Sequence, residues 1–135
     1  MNEITIAALI ENLPVVEDFV NEGLEKYDCP LKAQMQISVA VDELFTNISS
    51  YAYNPDVGPA TVRVEVCQEP LSVIITFIDK GVPYNPLNAA VPDITLSAED
   101  RPIGGLGIHM VRKTMDDICY EYKDGKNILS IKKNI

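Results

Sequence analysis

The chain has 135 residues, 47% of them hydrophobic, with 20 acidic side chains against 11 basic ones and a formal net charge of -9. This length fits a single domain, 1–135, with a core large enough to need no disulfide or metal staple, and the acidic balance disfavours nucleic acid, whose phosphates require a basic face. The scattered Cys29, Cys67 and Cys119 form no CxxC pair, and no apolar run nears the roughly 20 residues that span a bilayer; a soluble, cytoplasmic protein without a nucleic-acid or membrane partner is expected.

ITIAAL (Ile4–Leu9) alternates weakly and reads as an edge strand. Asn12, followed by Leu13 and Pro14, reads as a helix cap and first turn. Val16, Phe19, Val20 and Leu24 then recur at spacings of three and four, which predicts an amphipathic helix to about Tyr27. Beyond Asp28-Cys29-Pro30, the run from Leu31 to Tyr53 lacks glycine and proline and aligns Ile37, Val41, Leu44 and Ile48, so one long helix is predicted, ended by NPDVGP. The period then changes to two. TVRVEV (Thr61–Val66), the turn Gln68-Glu69-Pro70 and SVIITFID (Ser72–Asp79) read as a hairpin. Lys80 to Pro102 show no sustained periodicity, and a loop of that length in a small domain is more often functional than idle. A glycine-rich stretch leads into a helix from Ile108 to about Asp116. ICYEYK (Ile118–Lys123), Asp124-Gly125 and NILSIKK (Asn127–Lys133) form a closing hairpin. The order β-α-α-β-β-loop-α-β-β predicts an α+β, two-layer sandwich, with a mixed, largely antiparallel sheet carrying its helices on one face.

Three short motifs carry chemistry. Glu43 and Asn47 lie four apart and share one helix face, with Tyr51 one turn on. A carboxylate and an amide oxygen so placed suit proton abstraction beside a hard cation, although an isolated pair of this kind is usually a solvated face. Asp79, in DKGVPYNP, ends the most apolar strand beside Gly81; such an aspartate often only makes a turn, but it can also accept a hydrogen bond from a ligand's amino group. Gly104, Gly105 and Gly107 open the next helix. Each glycine costs roughly 1 kcal/mol against alanine in a helix, and one would suffice for a turn. Bare N–H groups at a helix start suit a di- or triphosphate, while the spacing fits neither the P-loop nor a dinucleotide fingerprint.

In this order and separation the motifs resemble the ATP-binding fold shared by DNA gyrase, Hsp90, sensor histidine kinases and MutL, the Bergerat-type histidine kinase-like ATPase fold. DELFTNISSYAY (Asp42–Tyr53) resembles its N box, DKGVPYNP (Asp79–Pro86) its first glycine box and RPIGGLGIHMV (Arg101–Val111) its second. Within that group the chain is similar, over nearly its whole length, to stand-alone anti-sigma regulatory factors, the serine/threonine kinases of bacterial partner-switching systems. The resemblance implies ATP or ADP and Mg²⁺ as cofactors. It implies Glu43 as general base, Asn47 as Mg²⁺ ligand, Asp79 as reader of the adenine amino group and Gly81 as the low wall beside it. Gly105 and Gly107 would hold phosphates, with Gly104, Leu106 and Tyr84 as further nucleotide contacts. Residues 86–103 would form an ATP lid, and Arg101 would face the γ-phosphate. It further implies a homodimer that phosphorylates a small serine-bearing anti-sigma-factor antagonist and sequesters a sigma factor. Tyr51 stands where the family often carries histidine, and His109 reads as a partly packed helix residue. A nucleotide-binding regulatory module without catalysis is the alternative. The catalytic part of a histidine kinase, or an ATPase coupled to conformational change, would each need a further element: a phosphoaccepting histidine helix or a transducer domain.

Overall fold

A computed structural model describes residues 1–53, 55–88 and 105–135. Its elements follow the predicted order: β1 (Asn2–Ala7), α1 (Leu13–Glu25), α2 (Leu31–Asn47), β2 (Pro59–Cys67), β3 (Ser72–Asp79), α3 (Gly105–Thr114), β4 (Asp117–Lys123) and β5 (Lys126–Asn134). The five strands form one sheet in the order β1-β2-β3-β5-β4, with β1 at an edge as expected. Among the described residues every pairing is antiparallel, so the mixed sheet expected is not found there. The reason lies in the connections. Two helices between β1 and β2 return the chain to the end it left, whereas a single crossover helix would have made the pair parallel. One helix does separate β3 from β4, but β5 inserts between them and runs against both.

Alternation along the strands decides which face the helices cover. Ala60, Val62 and Val64 of β2, Val73, Ile75 and Phe77 of β3, and Leu129 and Ile131 of β5 all point to one side. There they join Val16, Val20 and Leu24 of α1 and Ile37, Val41, Leu44 and Phe45 of α2 in one buried cluster. Burying each valine, leucine, isoleucine or phenylalanine among them stabilises the fold by about 1.5–3 kcal/mol. The polar residues Asp79 and Asn127 continue the same inward rows of β3 and β5, opposite each other in register.

At α1 the helix starts where the sequence places it but the cap contact differs, and at α2 the end of the helix differs. The Asn12 side chain does not cap α1; its amide donates to the Ala7 carbonyl at 2.9 Å and so ties the end of β1 to the helix start. The long helix keeps its α form only to Asn47 and widens into a π-helical turn over Ile48–Ala52. Ser49 Oγ donates to the Phe45 carbonyl at 3.0 Å, a side-chain bond that competes with the backbone ladder and favours such bending. The Asp124-Gly125 turn has both residues at positive φ, +54° and +75°, the geometry that suits a two-residue hairpin. Only residues 86–88 of the expected lid are described, as a short 3-10 turn; its other residues lie outside the described ones. Among the described residues, no helix is long and apolar enough to cross a membrane.

Between α1 and α2, Ser38 Oγ donates to Glu17 Oε2 at 2.9 Å. Burial, with Asp42 close by, pushes the Glu17 carboxyl up to about 7. The folded state therefore holds a proton there that the unfolded chain releases near its ordinary value of 4.5. Glu17 should thus cost stability progressively as pH rises from about 4.5 to about 7, with no further loss above. The Glu17→Gln variant is expected to gain on the order of 1 kcal/mol at pH 8, a modest figure because the group is screened by solvent, and nothing at pH 4. Denaturant unfolding at the two pH values checks this.

Candidate functional site

The polar ends of the inward rows open into a cavity at the protein surface. Its floor is apolar, formed by Leu44, Ile48, Phe77 and Leu129; its polar groups are Asn47, Asp79 and Asn127; Tyr51, Tyr84 and Tyr120 line it as well. Three predicted residues, Asn47, Asp79 and Tyr84, thus share one hollow, although they come from a helix end, a strand end and the following loop. Tyr51 and Tyr84 approach with ring centroids 6.1 Å apart and planes tilted by 41°. Both remain over 40% exposed, at 41% and 44%, so they form a rim rather than part of the core.

The Asp79 carboxylate is held from two directions. Its Oδ1 accepts the Gly81 N–H at 2.9 Å and Asn127 Nδ2 at 2.9 Å. Gly81 is obligatory for a steric reason: a Cβ there would lie 2.2 Å from the Ala52 carbonyl oxygen. That carbonyl accepts the Val82 N–H at 3.0 Å, which binds the loop after β3 to the π-helical turn. Tyr53 braces the same junction, its hydroxyl donating to the Pro59 carbonyl at 2.6 Å and accepting from the Lys80 N–H at 2.8 Å. Burial pushes the Tyr53 hydroxyl up, and it stays a proton donor.

One turn before Asn47, Glu43 leans against α3. A Cβ on Gly107 would fall 2.0 Å from the Glu43 carboxyl carbon, so the glycine makes room for the carboxylate. Gly105 and Gly107 lie inside the first turn of α3, three residues earlier than the helix start expected from the sequence. Their N–H groups belong to the turn that has no helical acceptors of its own, where the dipole favours an anion. Glu43 Oε1 and Asn47 Nδ2 are buried and have no hydrogen-bond partner among the described residues. Burial pushes the Glu43 carboxyl up, toward the range of a useful base. Orphaned polar atoms of this kind, on one face and beside a glycine-lined helix start, fit a phosphate group with a hard cation. Among the described residues there is no cluster of three acidic, histidine or cysteine side chains. Asn47 could donate from Nδ2 to a phosphate or, through its amide oxygen, hold one position of a hard cation whose other ligands come from phosphate and water. Arg101 and Gly104 lie outside the described residues, as does the side chain of Leu106; His109 is half-buried on α3, as expected.

Neighbours of the site given no role from the sequence include Ala52 and Tyr53, which end the stretch resembling the N box, and Val82, Tyr120 and Asn127. Asn127 left a usable signal. In NILSIKK it occupies the inward phase set by Leu129 and Ile131, where an uncompensated amide would be costly.

The model of the histidine kinase-like ATPase domain matches residues 6–133. The serine/threonine-protein kinase BtrW of Bordetella bronchiseptica is 29% identical over 100 residues, which cover 74% of this chain and 70% of that protein. The serine-protein kinase RsbW of Bacillus mycoides is 32% identical over 100 residues, covering 71% of this chain and 61% of that one. In structure, the histidine kinase AdeS of Acinetobacter baumannii is similar over 99% of this chain and 68% of its own, with a TM-score of 0.55 at 13% identity, a likeness of fold alone.

Proposed function

Because the chain belongs to the histidine kinase-like ATPase family, we propose that it is an ATP-dependent serine/threonine protein kinase of a partner-switching system, one that phosphorylates a small serine-bearing anti-sigma-factor antagonist and sequesters a sigma factor. The observation that carries this reading is the pair of buried, unpartnered atoms Glu43 Oε1 and Asn47 Nδ2 beside the start of α3. The similarity to proteins named serine-protein kinases supports it.

Bound Mg-ATP would supply the transferable γ-phosphoryl group and the cation that neutralises its oxygens. Asp79 would accept a hydrogen bond from the adenine amino group, with Gly81 keeping that wall low enough for the base. Asn47 would offer its amide oxygen to the cation, and the first turn of α3 its N–H groups to the phosphates. Arg101, Gly104 and Leu106 would complete that end. Glu43 would accept the proton of the incoming serine hydroxyl as the new oxygen–phosphorus bond forms and the bond to the ADP oxygen breaks. Burial pushes its carboxyl up, which strengthens it as a base.

A regulatory module that binds nucleotide without transfer is the second reading, motivated by Tyr51 in place of the family histidine. The position of Tyr51 favours the kinase. Its ring meets Tyr84 at the rim of the cavity that Asp79 and Asn127 also line. The exchange therefore alters the nucleobase end of the site. Two measurements test the proposal. Mg-ADP at a hundredfold excess over its Kd should raise the stability of the native state by about 2.7 kcal/mol, seen as a higher Tm; an unchanged Tm would remove the nucleotide. Incubation with γ-labelled ATP and the candidate antagonist should place label on a serine of that partner. Bound nucleotide with no transfer would leave only the second reading.

A further inference from the structure

We propose that Asn127 is the positioning residue that makes the cavity selective for an aminopurine, acting through Asp79 rather than by touching the base. The inference rests on the nucleotide reading above. Asn127 is 6% exposed, and its side-chain amide is fully engaged. Nδ2 donates to Asp79 Oδ1 and to the Val82 carbonyl, both at 2.9 Å. Oδ1 accepts the Tyr84 N–H at 3.1 Å and the Tyr120 hydroxyl, which burial keeps protonated. With both donors and both acceptor positions occupied, this amide has no group left for a ligand.

What it does is fix the orientation of its neighbours. Asp79 Oδ1 is saturated by Gly81 and Asn127, so the carboxylate cannot rotate without losing two bonds. Among the described residues Asp79 Oδ2 has no partner, which leaves one acceptor of fixed direction for an exocyclic amine. The same amide stitches Val82 and Tyr84, the loop that carries the aromatic rim, to the acceptor. An asparagine is required for this, because only a group with two donors and a two-fold acceptor in one plane can hold a carboxylate, a carbonyl, an N–H and a hydroxyl together. A purine with a carbonyl in place of the amine would face an acceptor that cannot turn away.

The test compares Mg-ADP with Mg-IDP, which lacks the amine, by calorimetric titration of the full chain. Wild type should prefer Mg-ADP. Asn127→Ala should lose about tenfold in Mg-ADP affinity, the worth of a hydrogen bond to a charged group, and leave Mg-IDP nearly unchanged. Equal weakening for both nucleotides, or full discrimination retained in Asn127→Ala, would overturn the inference alone. Wild type that binds neither nucleotide would overturn the nucleotide reading and this inference with it. Should Asn127→Ala fail to fold, Asn127→Asp keeps the shape and sets a carboxyl against Asp79, with the Tyr53 and Tyr120 hydroxyls as titratable neighbours. A proton shared by the two carboxyls restores the lost donor, so the Mg-ADP deficit relative to wild type at the same pH should shrink as pH falls from 8 to 5.5. A deficit that does not change with pH would count against the inference.

Discussion

Replacing Glu43 with alanine should slow phosphoryl transfer to the serine-bearing partner about 10²- to 10⁴-fold, the usual contribution of a general base, while Mg-ADP still binds. Single-turnover transfer beside calorimetric titration separates the two effects, and transfer at the wild-type rate would remove Glu43 from the mechanism. The structure adds a second route to the same loss. In Gly107→Ala the new methyl would occupy the place of the Glu43 carboxylate, 2.0 Å from its carbon and 2.1 Å from Oε2. Those atoms are the far end of a flexible side chain, so the fold yields cheaply and the carboxylate is displaced. Gly107→Ala should therefore approach the transfer defect of Glu43→Ala with an unfolding midpoint near that of wild type. A variant that transfers normally would show that the position of the carboxylate does not matter.

Gly81→Ala should behave in the opposite way. There the obstruction is backbone: the Ala52 carbonyl oxygen at 2.2 Å and its carbon at 2.6 Å. Neither can swing aside without breaking the Val82 N–H bond that closes the cavity. We expect a destabilisation of about 1–3 kcal/mol, the usual cost of overpacking, together with loss of measurable nucleotide binding. Denaturant unfolding and titration of the same preparation check both. Native stability with undiminished affinity would mean that the loop after β3 is not fixed against the π-helical turn.

Much of the architecture was legible because period and punctuation agreed. The two-residue alternation of TVRVEV and SVIITFID, and the Asp-Gly between ICYEYK and NILSIKK, placed β2 to β5 within two residues of their observed bounds. What failed depended on tertiary context. The local signal for the π-helical turn at Ile48–Ala52 is weak, a serine that can bond back to the Phe45 carbonyl in a run otherwise compatible with an α-helix; its tertiary tie is the Val82 and Gly81 contacts at Ala52. The absence of a parallel pair depends on β5 inserting between β3 and β4, which the order of elements leaves open. At the site, Asn47, Asp79 and Tyr84 line one cavity, and Glu43 meets Gly107. Asn127 went unread because an asparagine opening a strand looks like turn chemistry until the strand's phase is counted.

The placement of β5 also sets a schedule for synthesis. Residues 126–134 are translated after the other described strands of this sheet, yet they occupy its interior and carry the amide that orients Asp79. A nascent chain emerging from the ribosome has its helices and the β2–β3 hairpin available early, but β3 keeps an unpaired edge and the base pocket lacks a wall until this segment arrives. Ligand capture therefore cannot assist the early steps of folding, and a chain stalled before residue 126 presents an apolar strand border open to other polypeptides.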